Sequence, residues 1–244
     1  MSTPVFWLPE ECDPASGVPV ALTGAEGHHA ADVRRLRTGE RVELVDGAGL
    51  RVRGRVATVE RGWLSVDVET VVREPAPSLR IEVVQALPKG DRAELAVELL
   101  TEVGVDVIVP WAAARCVTRW RGDRPTRGLQ RWQAAAREAA KQSRRAYVPD
   151  VTPIATTADV VSRLPSAALA LVLDESATES PPDVPDHGDV MVIVGPEGGI
   201  SEYELAAFDA AGARAVRLGP TVMRTSTAGA VAVAILLSRT PRWG

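Results

Sequence analysis

The stretch from Asp189 to Leu237 constrains this chain more than any other, and it reads DVMVIVGPEGGISEYELAAFDAAGARAVRLGPTVMRTSTAGAVAVAILL. Val190 to Val194 is an unbroken apolar run of strand length. That is the pattern of a strand covered on both faces, as in a parallel sheet. Gly195-Pro196-Glu197-Gly198-Gly199 follows at once. Glycine lets a backbone approach a neighbour closely and present its N–H groups. Ser201 is a good N-cap, and Glu204 three residues later completes a capping box. The helix so opened, Glu202 to Ala211, meets Gly212 as its stop. Ala215 to Leu218 predicts a second short strand, Gly219-Pro220 turns the chain, and Thr221 to Thr227 is a polar loop. Ala228 to Leu237 is apolar on every side, which predicts a helix buried all round. It is too short to cross a bilayer.

The glycine turn is neither of the two common phosphate loops. GPEGG lacks the GxGxxG spacing of a dinucleotide fingerprint and the Lys-Ser/Thr of a P-loop. A strand, a turn and a helix occur in any α/β protein. Two glycine-led loops after two successive strands, one running into Arg-Thr-Ser-Thr, favour a cofactor pocket made largely of backbone.

The length of 244 residues allows one large domain or two modest ones. Cys12 and Cys116 are the only cysteines, which leaves no disulfide framework and no cysteine metal cluster. His28 and His29 have only His187 for company, so a metal site is not expected. No basic stretch followed by an apolar one opens the chain, so a cytoplasmic protein without a signal peptide or membrane span is expected. The net charge of −4 argues weakly against nucleic acid. Its distribution argues the other way: Trp111 to Arg145 holds ten Lys/Arg against two acids, Asp123 and Glu138. Phosphate binding needs a local basic surface rather than a basic whole.

Taken in order, residues 1–73 read as strands at Val5–Leu8 and Val18–Leu22, followed by segments that alternate apolar and polar side chains at Arg41–Val45, Leu50–Val59 and Trp63–Val72. This half-buried pattern predicts a small antiparallel β-barrel. Arg34, Arg35 and Arg37, with Arg51, Arg53 and Arg55, suggest an RNA-facing surface on it. Glu74 to Ser78 is a Pro-rich linker. Arg80 to Leu87 predicts a strand, Asp91 caps a helix with apolar face Leu95, Leu99, Leu100 and Val103, and Val105 to Val109 is the next strand. Such a βαβ unit implies a parallel sheet. Arg127 to Tyr147 predicts a helix with Arg131, Glu138, Gln142 and Arg145 on one polar face and Trp132, Ala136, Ala139 and Ala140 on the apolar side. Ala168 to Leu173 is a further buried strand.

GPEGGIS…E followed by LGP…MRTSTA resembles the C-terminal motifs of the SPOUT methyltransferases, most nearly the 16S ribosomal RNA uracil-N3 methyltransferase family. GHHAADVRRLRTGERVELVDGAG is similar to that family's N-terminal PUA-like RNA-binding domain. Lys89 and Glu98 match its strand–Lys–helix–Glu pattern, and Arg115 matches an arginine in its next short motif. Glu138, Ala139, Gln142, Ser143 and Arg145 match the Glu-Ala, Gln-Ser and Arg of a further motif of that family. The resemblance covers nearly the whole chain.

It implies an α/β fold: residues 1–73 as a PUA-like β-barrel, 74–79 as a linker, and 80–244 as a SPOUT domain with a parallel sheet and a deep C-terminal trefoil knot. True knots are almost absent from proteins, so periodicity alone points to neither knot nor cofactor. The cofactor implied is S-adenosylmethionine. By the same resemblance it is held at Leu173, at Val194, Gly195, Pro196, Glu197, Gly198, Gly199 and Ile200, at Leu218, Gly219 and Pro220, and at Met223, Arg224, Thr225, Ser226 and Ala228. The implied substrate is a uridine of 16S ribosomal RNA in the small ribosomal subunit. The expected RNA contacts are Arg34, Arg35, Arg37, Lys89, Arg115, Arg121, Arg124, Arg127, Arg131, Gln142 and Arg145. A homodimer is expected, since SPOUT domains pair with copies of themselves.

The chemistry narrows the catalytic candidates. Methyl transfer is an in-line displacement, so the enzyme must hold methyl and nucleophile at near-attack distance. Negative charge develops on N3 and the flanking carbonyl oxygens of uracil, and arginine donors aimed there stabilise it. Arg224 is the first candidate because it lies in the cofactor loop, with Arg145 and Arg115 behind it. Glu197 or Glu138 is a candidate to orient the base or accept a proton. Ser226 stands where many family members carry Glu, so the general base is left unassigned. Two other readings stay open: a SPOUT enzyme acting on a ribose 2′-oxygen or another base, and a non-catalytic RNA-binding assembly protein.

Overall fold

The computed structural model describes residues 3–90, 92–120, 122 and 124–243. The chain separates into two compact units. One runs to Ala76 and includes Ala140–Val148; the other is Pro77–Ala139 with the chain from Pro149 onward. The segment Ala140–Val148, expected inside a continuous C-terminal domain, groups instead with the first unit.

The first unit is built on β1 (Val5–Trp7), β2 (Val20–Leu22), β3 (Arg41–Val45), β4 (Leu50–Glu60) and β5 (Trp63–Arg73), in the order β1-β3-β4-β5-β2. Pairs β3–β4, β4–β5 and β5–β2 are antiparallel, as the alternation predicts. β1 pairs with β3 in parallel. The all-antiparallel expectation fails there because β2, helix α1 (Gly24–His28) and a π-helical turn (His29–Val33) lie between them in the chain, a crossover long enough for β3 to run the same way as β1. Val42, Leu44, Val52, Val56, Leu64 and Val66 point into one core with Phe6 and Leu22. At a register shift in β4, a Cβ on Gly54 would fall 2.3 Å from the carbonyl oxygen of Asp67, so only glycine fits there.

The arginines of β4 are engaged in ion pairs. Arg51 is paired with Glu43 and Glu74, Arg53 with Glu43, and Arg55 with Glu69. They form cross-strand ion pairs that a one-dimensional reading of alternation cannot see. Lys141, one of the ten basic residues of the charged run, is also withdrawn from solvent. Only 5% exposed, it donates to both oxygens of Glu26.

The second unit carries six parallel strands: β6 (Leu79–Ala86), β7 (Val107–Trp111), β8 (Asp150–Val151), β9 (Leu169–Leu173), β10 (Gly188–Val194) and β11 (Arg214–Val216). Their order is β11-β9-β10-β6-β7-β8. The helices are α2 (Arg92–Val103), α3 (Arg124–Gln142, whose residues from Ala140 on group with the first unit), α4 (Thr157–Arg163), α5 (Glu202–Ala210) and α6 (Thr225–Leu237). The Asp91 cap expected for α2 lies outside the described residues. α2 buries Ala96, Val97, Leu100 and Thr101 and leaves Leu95 44% exposed, so its inward face is turned by about one residue from the expected one. α4 begins at a capping box, Thr156 with Asp159, that the sequence reading passed over.

α5 has the expected box: Ser201 and Glu204 exchange side-chain and backbone hydrogen bonds, and Gly212 stops the helix at φ +93. α6 starts earlier than expected and packs on α2, β6 and β10. It is not buried all round. Gly229, Ala232, Val233, Leu236 and Leu237 face inward, whereas Ala228, Val231, Ala234 and Ile235 are half-buried.

Candidate functional site at the carboxyl edge of the parallel sheet

Val216, Leu173, Val194, Gln85 and Pro110 lie side by side across β11, β9, β10, β6 and β7. This rung marks the carboxyl edge of the sheet, where open α/β sheets bind their ligands. Both glycine loops depart from it. The first runs from Gly195 to Ser201 after β10, and the second from Arg217 to Arg224 after β11. Thr225 closes the pair: its Oγ1 donates to the carbonyl oxygen of Gly195 at 3.0 Å. Behind this bond Gln85 is fully buried. Its Nε2 reaches the carbonyl oxygens of Ala86 and Thr225, and its Oε1 has no partner among the described residues.

The first loop folds back on itself. Gly199 adopts φ +72 and donates its N–H to Pro196 at 2.9 Å. A Cβ on Gly195 would sit 2.6 Å from Cγ1 of Ile200. Gly198 faces the loop after β7, where a Cβ would meet the Cβ and carbonyl oxygen of Arg115 at 3.2 Å. Arg115 itself reaches back to the carbonyl oxygens of Gly198 and Ile200 at 3.4 Å. Glu197 Oε1 accepts the backbone N–H of Lys89 at 3.0 Å, which ties in the loop after β6.

Beneath the loops lies Glu204, only 1% exposed. Its Oε1 accepts from the N–H of Ala114 at 2.8 Å and from the hydroxyl of Thr157 at 3.0 Å. Its Oε2 accepts from the N–H of Ser201 at 3.0 Å and from that serine's hydroxyl at 2.7 Å. Burial alone would raise its pKa, but the hydrogen bonds from Ser201, Ala114 and Thr157 together outweigh it and hold the carboxyl below its ordinary value. The charge is therefore structural, joining α5, α4 and the loop after β7. The sequence marked Glu204 as a helix cap. Its other two partners lie 90 and 47 residues away and leave no local signal.

The second loop is open. From Leu218 to Arg224 no backbone N–H finds an acceptor among the described residues. A Cβ on Gly219 would meet nothing within 4 Å. Unpaired backbone donors beside free space suit a ligand such as S-adenosylmethionine, whose adenine edge, ribose hydroxyls and amino-acid tail are hydrogen-bonding groups. Leu173, Val194, Gly195, Leu218, Gly219, Met223 and Thr225 are thus brought to one edge. Ser226 and Ala228 fall in the first turn of α6, and Ser226 is buried there.

Other expected site residues fall elsewhere. Arg224 is exposed and is the N-cap residue of α6; its carbonyl oxygen accepts from Thr227 and Ala228, and its side chain has no partner among the described residues. Glu138 is exposed on α3, but Arg145 is not on its helical face. The helix ends at Gln142, and Arg144 takes a left-handed φ of +59, so spacing counted through Arg145 does not hold. Arg145 and Gln142 group with the first unit, as do the exposed Arg34, Arg35 and Arg37. Arg124, Arg127 and Arg131 are exposed on α3. Arg121 lies outside the described residues. Trp120, which the sequence reading did not single out, lines a groove with Arg124, Arg127 and Arg131. No helix among the described residues is long and apolar enough to cross a membrane.

A parallel sheet with two backbone-rich loops at its carboxyl edge, preceded by a small β unit, is the arrangement of an RNA methyltransferase. Residues 74–237 match the family model for an RNA methyltransferase domain, and residues 22–69 match the RNA methyltransferase PUA domain. The chain is 48% identical to the ribosomal RNA small subunit methyltransferase E of Mycobacterium bovis, over 94% of this chain and 90% of the relative. The crystal structure of a ribosomal RNA small subunit methyltransferase E from Neisseria gonorrhoeae bound to S-adenosyl methionine superposes with a TM-score of 0.85 at 30% identity, covering 97% of this chain and 98% of that one. A methyltransferase from Legionella pneumophila in complex with bound SAM gives a TM-score of 0.81 at 26% identity, covering 98% and 99% of the two chains. The chain belongs to the ribosomal RNA small subunit methyltransferase E family.

Proposed function

We propose that this protein transfers the methyl group of S-adenosylmethionine to N3 of one uridine in the 16S RNA of the small ribosomal subunit. The observation that carries the reading is the clamp between Thr225 and Gly195, which sets two backbone-rich loops around one edge of the sheet. Bound there, S-adenosylmethionine supplies an electrophilic methyl group. The unpaired N–H groups from Leu218 to Arg224 hold its polar atoms, and Gly219 leaves it room. Arg224 extends from the same loop and donates to the uracil carbonyl beside N3 as charge develops there. Glu197, fixed by the N–H of Lys89, borders the approach of the base.

The chain from β10 through α6 is read as the trefoil knot, with residues 1–73 as the PUA-like domain, 74–79 as linker and the second unit as the methyltransferase domain. The half-buried apolar side of α6 supports a homodimer, because a second copy would cover Val231 and Ile235. The place of action is the cytoplasm, where ribosomal subunits are made.

The test is methylation of purified small subunits lacking the modification, with tritiated S-adenosylmethionine and nucleoside mass spectrometry. N3-methyluridine from a single site is the expected product. A ribose-methylated nucleoside, another methylated base, or no transfer beside intact cofactor binding overturns the reading. Sedimentation at micromolar concentration checks the dimer, and a monomer there removes that part.

A further inference from the structure

The loop after β7 makes a second concave site on the second unit, and the carboxyl-edge reading leaves it without a role. Thr118, Arg119, Trp120, Arg124, Arg127 and Arg131 line a groove of about 720 Å³ between that loop and the start of α3. Trp120 is placed with care. Its indole lies against the α3 backbone at Gly128, where an added Cβ would come 2.4 Å from the ring. It packs in a T-shaped pair with the buried Trp132, with ring centroids 5.6 Å apart and planes at 82°. Helix and partner ring thus fix the indole, which also lines the groove.

The charge around it is one-sided. Four arginines line the groove with the indole, and the one acid paired with them among the described residues is Glu94, 3.8 Å from Arg131. Arg119 is steadied by the carbonyl oxygen of Ala114 at 2.8 Å. A held aromatic face ringed by guanidinium groups is what a single-stranded nucleotide needs. The base stacks on the ring without regard to its identity, and the flanking phosphates meet the arginines. The groove is also tied through the chain to the reaction centre of the proposed function. Thr118 donates to the carbonyl oxygen of Pro88 at 2.8 Å, next to the Lys89 N–H that holds Glu197, and Arg115 of the same loop rests on Gly198.

We infer that this groove is a subsite for one unpaired RNA nucleotide, with Trp120 as the stacking platform and Arg119, Arg124, Arg127 and Arg131 as the phosphate clamp. The inference rests on the RNA-methyltransferase reading for its ligand class, and it adds a positioning site beside the methylation centre. Every base has a π-face, so the subsite grips the strand without choosing the sequence.

The experiment measures binding of a fluorescein-labelled single-stranded RNA dodecamer of mixed sequence, and of the same strand with abasic positions, to the full-length protein across a salt series. Trp120→Ala is expected to weaken binding of the intact strand about ten- to a hundredfold, the range for losing one base–aromatic stack, with its salt slope unchanged. It is expected to leave the abasic strand unaffected, and Trp120→Phe should recover most of the loss. Arg124→Gln with Arg127→Gln should instead lower the salt slope by roughly 0.7 per charge on both strands. Ala134→Glu, at an exposed α3 position lining the groove, adds a carboxylate to it and leaves Trp120 in place. It should weaken both strands at low salt, and it covers the case in which Trp120→Ala does not fold.

Equal affinity of wild type, Trp120→Ala and Ala134→Glu for the intact strand overturns the subsite, as does an equal loss on the abasic strand. So does a loss seen only with assembled small subunits, which would assign the groove to a ribosomal protein. Methylation by the wild type, run in parallel, separates the two readings. Transfer without any Trp120 effect removes the subsite alone, and a Trp120 effect without transfer removes the uridine reaction alone.

Discussion

The carboxylate of Glu204 lies 2.8 Å from the backbone nitrogen of Ala114, ninety residues earlier in the chain. With Ser201 and Thr157 it fills all of its acceptor positions with donors. Glu204→Gln keeps the shape but cannot keep the bonds. Whichever way the amide turns, its NH₂ faces either the Ala114 N–H or the Ser201 N–H. A buried donor left facing a donor costs about 1–3 kcal/mol. The variant should unfold at correspondingly lower urea concentration at pH 7. The sign with pH follows from the lowered folded-state pKa. Stability from the charge is fully present above the unfolded value of about 4.3 and is lost as pH falls through the lower folded value. The gap between wild type and variant should therefore narrow on going from pH 6 to pH 3. A constant gap would mean that the carboxyl does not titrate with folding.

The glycines of the two loops separate folding from ligand binding. Gly195→Ala would drive a methyl group to within 2.6 Å of Ile200 and should destabilise the fold by about 1–3 kcal/mol, the usual cost of overpacking. Gly198→Val meets Arg115 rather than open space, so its first effect is also on the loop framework. At Gly219 an added Cβ meets nothing within 4 Å, so Gly219→Val has room at its branch point. It should melt with the wild type yet lose S-adenosylmethionine affinity in calorimetry, because the branched side chain occupies the space assigned to the cofactor. Unchanged affinity in Gly219→Val would move the cofactor away from this loop.

Much of this arrangement was legible because it is local. The Val190–Val194 run, the Ser201–Glu204 box and the Gly212 stop each depend on neighbours within a few residues, and each stands where expected. What was not legible depends on partners far away. The Arg51–Glu43–Glu74 pairs lie across strands, and Lys141 lies 115 residues from Glu26. A basic residue reads as surface until its partner is known. The failure at Arg145 has another cause. A left-handed residue at Arg144 breaks the helical count, and sequence gives little warning when that residue is not glycine.

The Lys141–Glu26 pair gives a further prediction, confined to the first unit. Lys141 is nearly sealed and lies 5.4 Å from the centre of the Phe6 ring, whereas the Glu26 side chain is 24% exposed and also accepts the N–H of Trp7 at 2.9 Å. The two partners should therefore not be equivalent. Glu26→Gln leaves a buried ammonium facing a neutral amide, and breaking a buried pair in this way costs about 3–5 kcal/mol. Lys141→Met keeps an apolar stem on Phe6 and leaves a carboxylate with water and a remaining donor, so it should cost less. Urea melts of both variants and the double variant check this. A larger loss for Lys141→Met would show that the burden of desolvation lies on the carboxylate.

Arg224 separates cofactor binding from chemistry. It is the N-cap residue of α6, but it caps with its backbone: the carbonyl oxygen accepts from Thr227 and Ala228, and the side chain makes no capping bond. Arg224→Ala should therefore fold and melt like the wild type. The neighbouring N–H groups, which hold the cofactor in the proposed reading, belong to the backbone and survive the substitution, so calorimetric affinity for S-adenosylmethionine should change little. What is lost is a charged donor beside the uracil oxygens as N3 becomes nucleophilic. Losing one such donor costs about 2.7–4 kcal/mol, or roughly 10²–10³ in turnover. Single-turnover methylation of small subunits, read beside the calorimetry, is the measurement. A parallel fall in affinity and rate would make Arg224 a binding residue. An unchanged rate would pass the role to Arg115, which rests on the same glycine loop.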